Sequence, residues 1–309
     1  GIAKGLDRME NDDDLAHRDR GDIDAFLMGR RMYDFGSALH VIKPQQHIEP
    51  KTAIHVLEQL MHEGLGLPDD WTRYLSIDPS HTCSACLFGV VPPPEYRGVE
   101  MGNRLIIEKE VVLKMHTPSA FAEALRPHTE GLKFEAFVMD QMAGRQTTIG
   151  AEVGVFQAYE DQFRKQGIRS RVTKYGFMKG CNEKGLRRRS VRDLLEPMEG
   201  GWPRLMVTQK CAITIRQMYE FRKKSIKDQD GYDIPTDDGV NERIYDNVIA
   251  LEYLGQYITE RIREGTAYVS PSEYRVVGSP AYFASQAMLA KMNKEAGGSY
   301  VHLGPGATA

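Results

Sequence analysis

The chain has 309 residues, 41% hydrophobic and 27% charged, a balance that fits one large or two modest globular domains and excludes a fibrous or wholly disordered chain. No apolar run is long enough to span a membrane, Gly1-Ile2-Ala3-Lys4 does not open a signal peptide, and four cysteines (Cys83, Cys86, Cys181 and Cys211) are too few for a disulfide framework, so a reducing, cytosolic compartment is expected. A formal net charge of -3 argues against a constitutively tight duplex-DNA binder while leaving room for a local basic groove.

Residues 1–30 mix Glu10-Asn11-Asp12-Asp13-Asp14 with Arg18, Arg20 and Arg30, the pattern of a solvated segment or linker helix. Residues 31–50 lack a period and carry Pro44 and Pro50, so they read as an extended connector. A helix is predicted over 52–64, capped by Thr52 and ended by Gly64. Arg73-Tyr74-Leu75-Ser76-Ile77-Asp78 alternates as a buried strand, and Pro79 stops the ladder just after its terminal carboxylate. Residues 82–91 and 104–113 read as second and third strands, joined through Pro92-Pro93-Pro94 and returning antiparallel.

A helix over 118–130 follows, with Thr117 as cap and Pro118 in its first turn. Phe134–Asp140 is a fourth strand that again ends on a carboxylate. A helix is predicted over 151–166, where Val155, Tyr159 and Phe163 recur every four residues, and a fifth strand over 168–174. After the basic, glycine-bearing run 176–192 come a short strand at 205–207, a helix over 212–224 and an acidic, turn-rich stretch at 227–238. A long helix is predicted from about Val240 to Arg263, with Ile244, Val248, Leu251, Leu254 and Ile258 as its apolar stripe. The Gly-rich end, GGSYVHLGPGATA, reads as a tail.

A strand ending in Asp, two antiparallel strands, a helix, a second strand ending in Asp and a late long helix form the ribonuclease-H-like order. The expected class is therefore α/β: a ribonuclease-H-like mixed sheet with helices on both faces. In that order the first and fourth strands lie adjacent and parallel, so Asp78 and Asp140 meet at one lip, and Asp246 on the late helix is the candidate third carboxylate. Three carboxylates repel unless cations neutralise them, and oxygen-only ligands favour hard ions such as Mg²⁺ or Mn²⁺. Two such ions suit hydrolysis of a phosphodiester.

Three stretches carry a resemblance: YLSIDPS, FEAFVMDQMAG and ERIYDNVIALEYL. In this order, and with the connector from Arg31 to His47, the chain resembles the nuclease domain of tailed-phage terminase large subunits over roughly residues 15–265. The resemblance implies a two-metal-ion DNA endonuclease that cuts concatemeric viral double-stranded DNA during genome packaging in the host cell cytoplasm, with a portal protein and a small terminase subunit as partners. It implies Asp78, Asp140 and Asp246 as metal ligands and catalytic groups. The chain departs from the family at Asn247, where a second adjacent acid is common. No GxxxxGK[ST] phosphate loop is present. With a first residue that is not Met, the chain is expected to be a C-terminal part: residues 1–50 a connector from an ATPase motor, 51–265 the nuclease domain and 266–309 a tail.

Lys179, Lys184, Arg187, Arg188, Arg189 and Arg192 form the densest basic run, read either as a solvated helix start or as a flank gripping the DNA backbone. Arg145 is a separate phosphate-contact candidate, and His81 a loop histidine close to Asp78. Asp237 and Asp238 are expected to cap the long helix, and Glu252 to be solvated. Cys83 and Cys86 form a single CxxC whose sulfurs would point to opposite faces of a strand, so they are read as small buried residues and not a zinc site. Other readings are a junction resolvase of the same fold, an actin-like ATP-binding protein, discounted because Pro79-Ser80-His81-Thr82 lacks glycine, and a non-catalytic docking module for a portal or small subunit.

Overall fold

The computed structural model describes residues 39–46, 51–64, 66–80, 83–141, 154–198, 202–221, 223–227, 233–240 and 245–270. In chain order these form β1 (His40–Ile42), α1 (Ala53–His62), β2 (Thr72–Asp78), β3 (Cys83–Val91), the short pair β4 (Glu95–Tyr96) and β5 (Val99–Glu100), and β6 (Leu105–Lys114). Then follow α2 (Pro118–Thr129), β7 (Phe134–Asp140), α3 (Val155–Gln166), β8 (Met178–Gly180), α4 (Lys184–Leu195), β9 (Leu205–Thr208) and α5 (Ala212–Glu220). The last elements are β10 (Lys223–Lys227), β11 (Asp233–Val240) and α6 (Asp246–Arg263).

Seven strands make one sheet in the order β1-β9-β6-β3-β2-β7-β8. β2, β3 and β6 are an antiparallel meander, while β7 pairs parallel with β2 and β8 parallel with β7. These five strands reproduce the ribonuclease-H-like order expected from the sequence. On the far side β9 pairs parallel with β6, and β1 parallel with β9. The end of the expected connector is thus a sheet strand, because His40–Ile42 finds unpaired backbone on β9. At the other boundary Tyr74 Oη donates to the Ala267 carbonyl at 2.6 Å, and Val269 N donates to Thr72 Oγ1 at 2.8 Å. The folded body therefore begins before residue 51 and runs past residue 265.

Residues alternate between the two faces along each strand. Tyr74, Ala85, Leu87, Ala136 and Val138 pack with Val191 and Leu194 of α4, Met218 of α5 and Val248, Leu251 and Leu254 of α6. Leu75, Ile77, Cys86, Phe88, Phe137 and Met139 pack on the opposite face with Phe121 of α2 and Phe163 of α3. Beside them α1 covers Ile42, Val90, Ile106 and Met206. The helix caps follow the local signals: Thr52 Oγ1 accepts from His55 N and Thr117 Oγ1 from Ala120 N.

Other elements also differ from expectation, among them the helix expected over 212–224, which ends at Glu220 before β10 begins at Lys223. Residues 168–174 form no continuous strand: Ser170 makes an isolated parallel bridge with Phe134, and Arg171 N donates to Phe134 O at 2.8 Å. The chain then turns back, with Ser170 N donating to Lys174 O at 2.6 Å and Thr173 Oγ1 to Gly176 O at 2.6 Å. The fifth strand is instead β8. The late helix starts at Asp246, because residues 233–240 pair antiparallel with β10. Asp237 and Asp238 lie in that strand and not at the helix start. The expected stripe on α6 is also wider than its sequence pattern: every residue from Asp246 to Thr259 is buried. The helix lies between the sheet and α4, and Gly255 permits the close crossing, since a Cβ there would stand 3.0 Å from Val191 Cγ2.

Candidate metal centre

The parallel pairing of β2 with β7 is in register at Ile77 and Met139. One residue further, Asp78 and Asp140 end the two strands side by side. By alternation from Tyr74 and Ser76, and from Ala136 and Val138, both carboxylates stand on the face that α6 covers. Both are half-buried. They occupy the C-terminal lip of the parallel part of the sheet, where backbone pairing ends and open sheets place their ligands.

Asp246 opens α6 and is 8% exposed. Ser76 Oγ donates to the Ala250 carbonyl at 2.8 Å, which pins the first turns of the helix over β2. Burial pushes the Asp246 carboxyl above the usual carboxylate range, and a hydrogen bond with the Cys83 thiol opposes this. The thiol is itself pushed up to about 12, first by burial and then by Asp246. Cys83 begins β3 at the same lip, while Cys86 lies in the opposite core cluster, as the CxxC reading anticipated; both are free thiols.

Tyr253 is a site residue that sequence reasoning missed. Its hydroxyl is hydrogen-bonded to Asp140, and burial raises its pKa, so it remains a proton donor. Gly180 is paired with Asp140 across β7 and β8. A Cβ at Gly180 would fall 2.4 Å from Tyr253 Cδ1, so only glycine lets the ring lie against the strand there. The guanidinium of Arg187 lies over the same ring, 4.3 Å from its centroid.

That contact changes the reading of the basic run. Arg187 is 2% exposed, and its Nε lies 3.5 Å from Oε2 of Glu252. Arg188 Nε lies 3.4 Å from Oε1 of the same carboxylate. Glu252 is not solvated: it is 0% exposed and holds both guanidiniums between α4 and α6. Of the six cations, Lys184, Arg189 and Arg192 are exposed on α4, and Lys179 is half-buried on β8. Arg145 and His81 lie outside the described residues.

Asn247 also has a defined place. Its Nδ2 donates to Glu110 Oε2 at 2.9 Å and to Thr214 Oγ1 at 3.0 Å. Glu110 caps the N-terminus of α5 as well, accepting from Ile213 N and Thr214 N at 2.8 Å each. A second acid beside Asp246 would face that carboxylate, which gives a physical reason for an amide at this position.

Asp78, Asp140 and Asp246 are oxygen donors only, which suits a hard divalent cation. Among the described residues, however, no three Asp, Glu, His or Cys side chains stand close enough together to enclose an ion. Asp78 and Asp140 are paired by strand register, whereas Asp246 is engaged by Cys83.

No protein-family model and no curated protein matches the chain. Among solved structures, the nuclease domain of the phage P22 large terminase is 13% identical, with a TM-score of 0.46 over 81% of this chain and 100% of that one. The large terminase nuclease of the thermophilic phage G20c with bound magnesium is 13% identical, with a TM-score of 0.40 over 71% of this chain and 93% of that one. The nuclease domain of the bacteriophage SPP1 large terminase with bound Mn is 13% identical, with a TM-score of 0.37 over 59% and 84%. The chain is thus similar, at low identity, to the nuclease domains of phage large terminases.

Proposed function

We propose that the chain is a divalent-cation-dependent DNA endonuclease of the terminase type, acting on double-stranded DNA in viral genome packaging. The observation that carries this reading is the in-register pair Asp78 and Asp140 at the end of adjacent parallel strands, beneath a helix that begins with Asp246. The order of the three acidic motifs in the sequence supports it. Among the described residues no helix is long and apolar enough to cross a membrane.

Asp78 and Asp140 would hold Mg²⁺ or Mn²⁺, and Asp246 would complete the ligand set when it turns from Cys83. Bound there, two such ions supply an activated water and charge neutralisation at the leaving oxygen of a phosphodiester. Asp78 and Asp140 end adjacent paired strands, so that pair needs little backbone reorganisation to face one ion, whereas Asp246 must first turn from Cys83. The N-terminus of α6 adds its positive dipole end at the lip, which favours negative charge there. Lys179, Lys184 and Arg189 flank β8 and α4 and would contact phosphates, orienting the duplex without reading its sequence. Arg187 and Arg188 are committed to Glu252 and serve the fold instead. Concatemeric viral DNA as substrate, portal and small-subunit partners, and the host cytoplasm as location extend this reading from the sequence resemblance.

The test is plasmid cleavage by the chain in EDTA, Mg²⁺ or Mn²⁺, beside Asp78→Ala. Cleavage that requires the cation and is lost in the variant supports the nuclease. Unchanged cleavage by Asp78→Ala, Asp140→Ala and Asp246→Ala would overturn the site. No cleavage and no cation binding under any condition would favour a docking module.

A further inference from the structure

We propose that Tyr253 is a positioning residue that fixes the Asp140 carboxylate for cation binding. This inference rests on the metal-centre reading above. Tyr253 is 4% exposed, and its ring is confined by packing rather than by the lip itself. Gly180 forms one wall, directly across the strand pairing from Asp140, and the Arg187 guanidinium forms another. Arg187 is held in turn by buried Glu252, the residue next to Tyr253 on α6. The ring therefore cannot swing away without disturbing a buried ion pair and a strand contact.

An aspartate has a broad, two-fold χ2 preference and by itself samples many carboxylate orientations. A hydroxyl donated by an immobile phenol removes that freedom. The Tyr253 hydroxyl occupies one acceptor site of Asp140, and the remaining lone pairs stay available for a cation. Such outer contacts typically change metal affinity by about 10–100-fold when lost. The device needs three separated positions: glycine at 180, arginine at 187 and tyrosine at 253. Only the fold brings them together.

The experiment is Mn²⁺ binding, followed by loss of the free-ion electron paramagnetic resonance signal, for the unaltered chain, Tyr253→Phe, Asp140→Asn and the double variant. Tyr253→Phe keeps the ring and its packing and should retain a cooperative urea transition, yet bind Mn²⁺ about 10–100-fold more weakly. The Mn²⁺ concentration for half-maximal plasmid cleavage should rise by the same factor, with the rate recovering at saturating Mn²⁺. In the Asp140→Asn background Tyr253→Phe should weaken binding no further. Unaltered Mn²⁺ affinity in Tyr253→Phe, or full additivity with Asp140→Asn, would overturn the proposal while leaving the metal centre standing. If the unaltered chain itself binds no Mn²⁺, the metal centre and the role of Tyr253 fall together.

Discussion

Replacing Glu252 with Gln tests whether the α4–α6 interface is an electrostatic clamp. The carboxylate is fully buried, and its two partners, Arg187 and Arg188, have side chains only 3% and 11% exposed. Gln preserves volume and one carbonyl acceptor but withdraws the Glu252 charge from two guanidiniums. Removing one partner from a buried ion pair costs about 3–5 kcal/mol, chiefly because the remaining charge is left uncompensated. The retained acceptor argues for the lower end, about 3 kcal/mol, a large share of the ~5–15 kcal/mol that holds a typical domain together. For a chain of this size, a loss near 3 kcal/mol lowers Tm by roughly 6–12 °C. The assay is urea unfolding followed by far-UV circular dichroism, with exposed Glu264→Gln as the control, which should stay within about 0.5 kcal/mol of the unaltered chain. A Glu252→Gln midpoint equal to that of the control would refute the clamp and restore the sequence reading of a solvated glutamate.

Asn247→Asp should destabilise the fold by about 2 kcal/mol or more, because it replaces a donor to Glu110 with a second buried carboxylate; an unchanged urea midpoint at pH 7 would count against the network. Burial raises the Asp246 carboxyl above its unfolded value, so between the two values the native state binds more protons and stability falls as pH rises. In EDTA at neutral pH, Asp246→Asn should therefore be more stable than the unaltered chain. That gain should shrink as pH falls through the raised value and vanish below the unfolded one. A gain independent of pH, or none at pH 7, would contradict the burial cost.

Much of the architecture was legible because it is written locally. Alternation at Tyr74–Asp78 and Phe134–Asp140, the Pro79 stop, and the Thr52 and Thr117 caps each act within a few residues, and each recurs in the structure. Strand order followed from the sequence of elements. The sequence signals failed where a partner distant in the chain decides. Residues 233–240 looked like acidic turns because their pairing partner, β10, gives no local signal. His40–Ile42 looked like linker because one short strand becomes visible only against β9. Residues 168–174 have strand-like composition and touch β7 at Ser170, yet the chain folds back on itself at Lys174 after that single bridge, and the Ser170 and Thr173 hydroxyls brace the turn.

At the candidate site the division is similar. The sequence by itself determined which carboxylates end the strands, since a strand terminus is a local event, and that Asp246 lies on the late helix; that the helix begins at Asp246 and not near Val240 was decided by the fold. Tertiary structure alone decided the protonation environment and the company of those groups. Arg187 and Glu252 sit 65 positions apart and read as surface charges, but the crossing of α4 on α6 removes both from water, and a buried charge must then find its counterpart. Tyr253 reads as one aromatic in an apolar motif; the pairing of Asp140 with Gly180 makes its hydroxyl part of the lip. Periodicity tells which face a side chain occupies. Only the packed fold tells what stands opposite that face, and that decides which charges are solvated, which are paired and which are free to do chemistry.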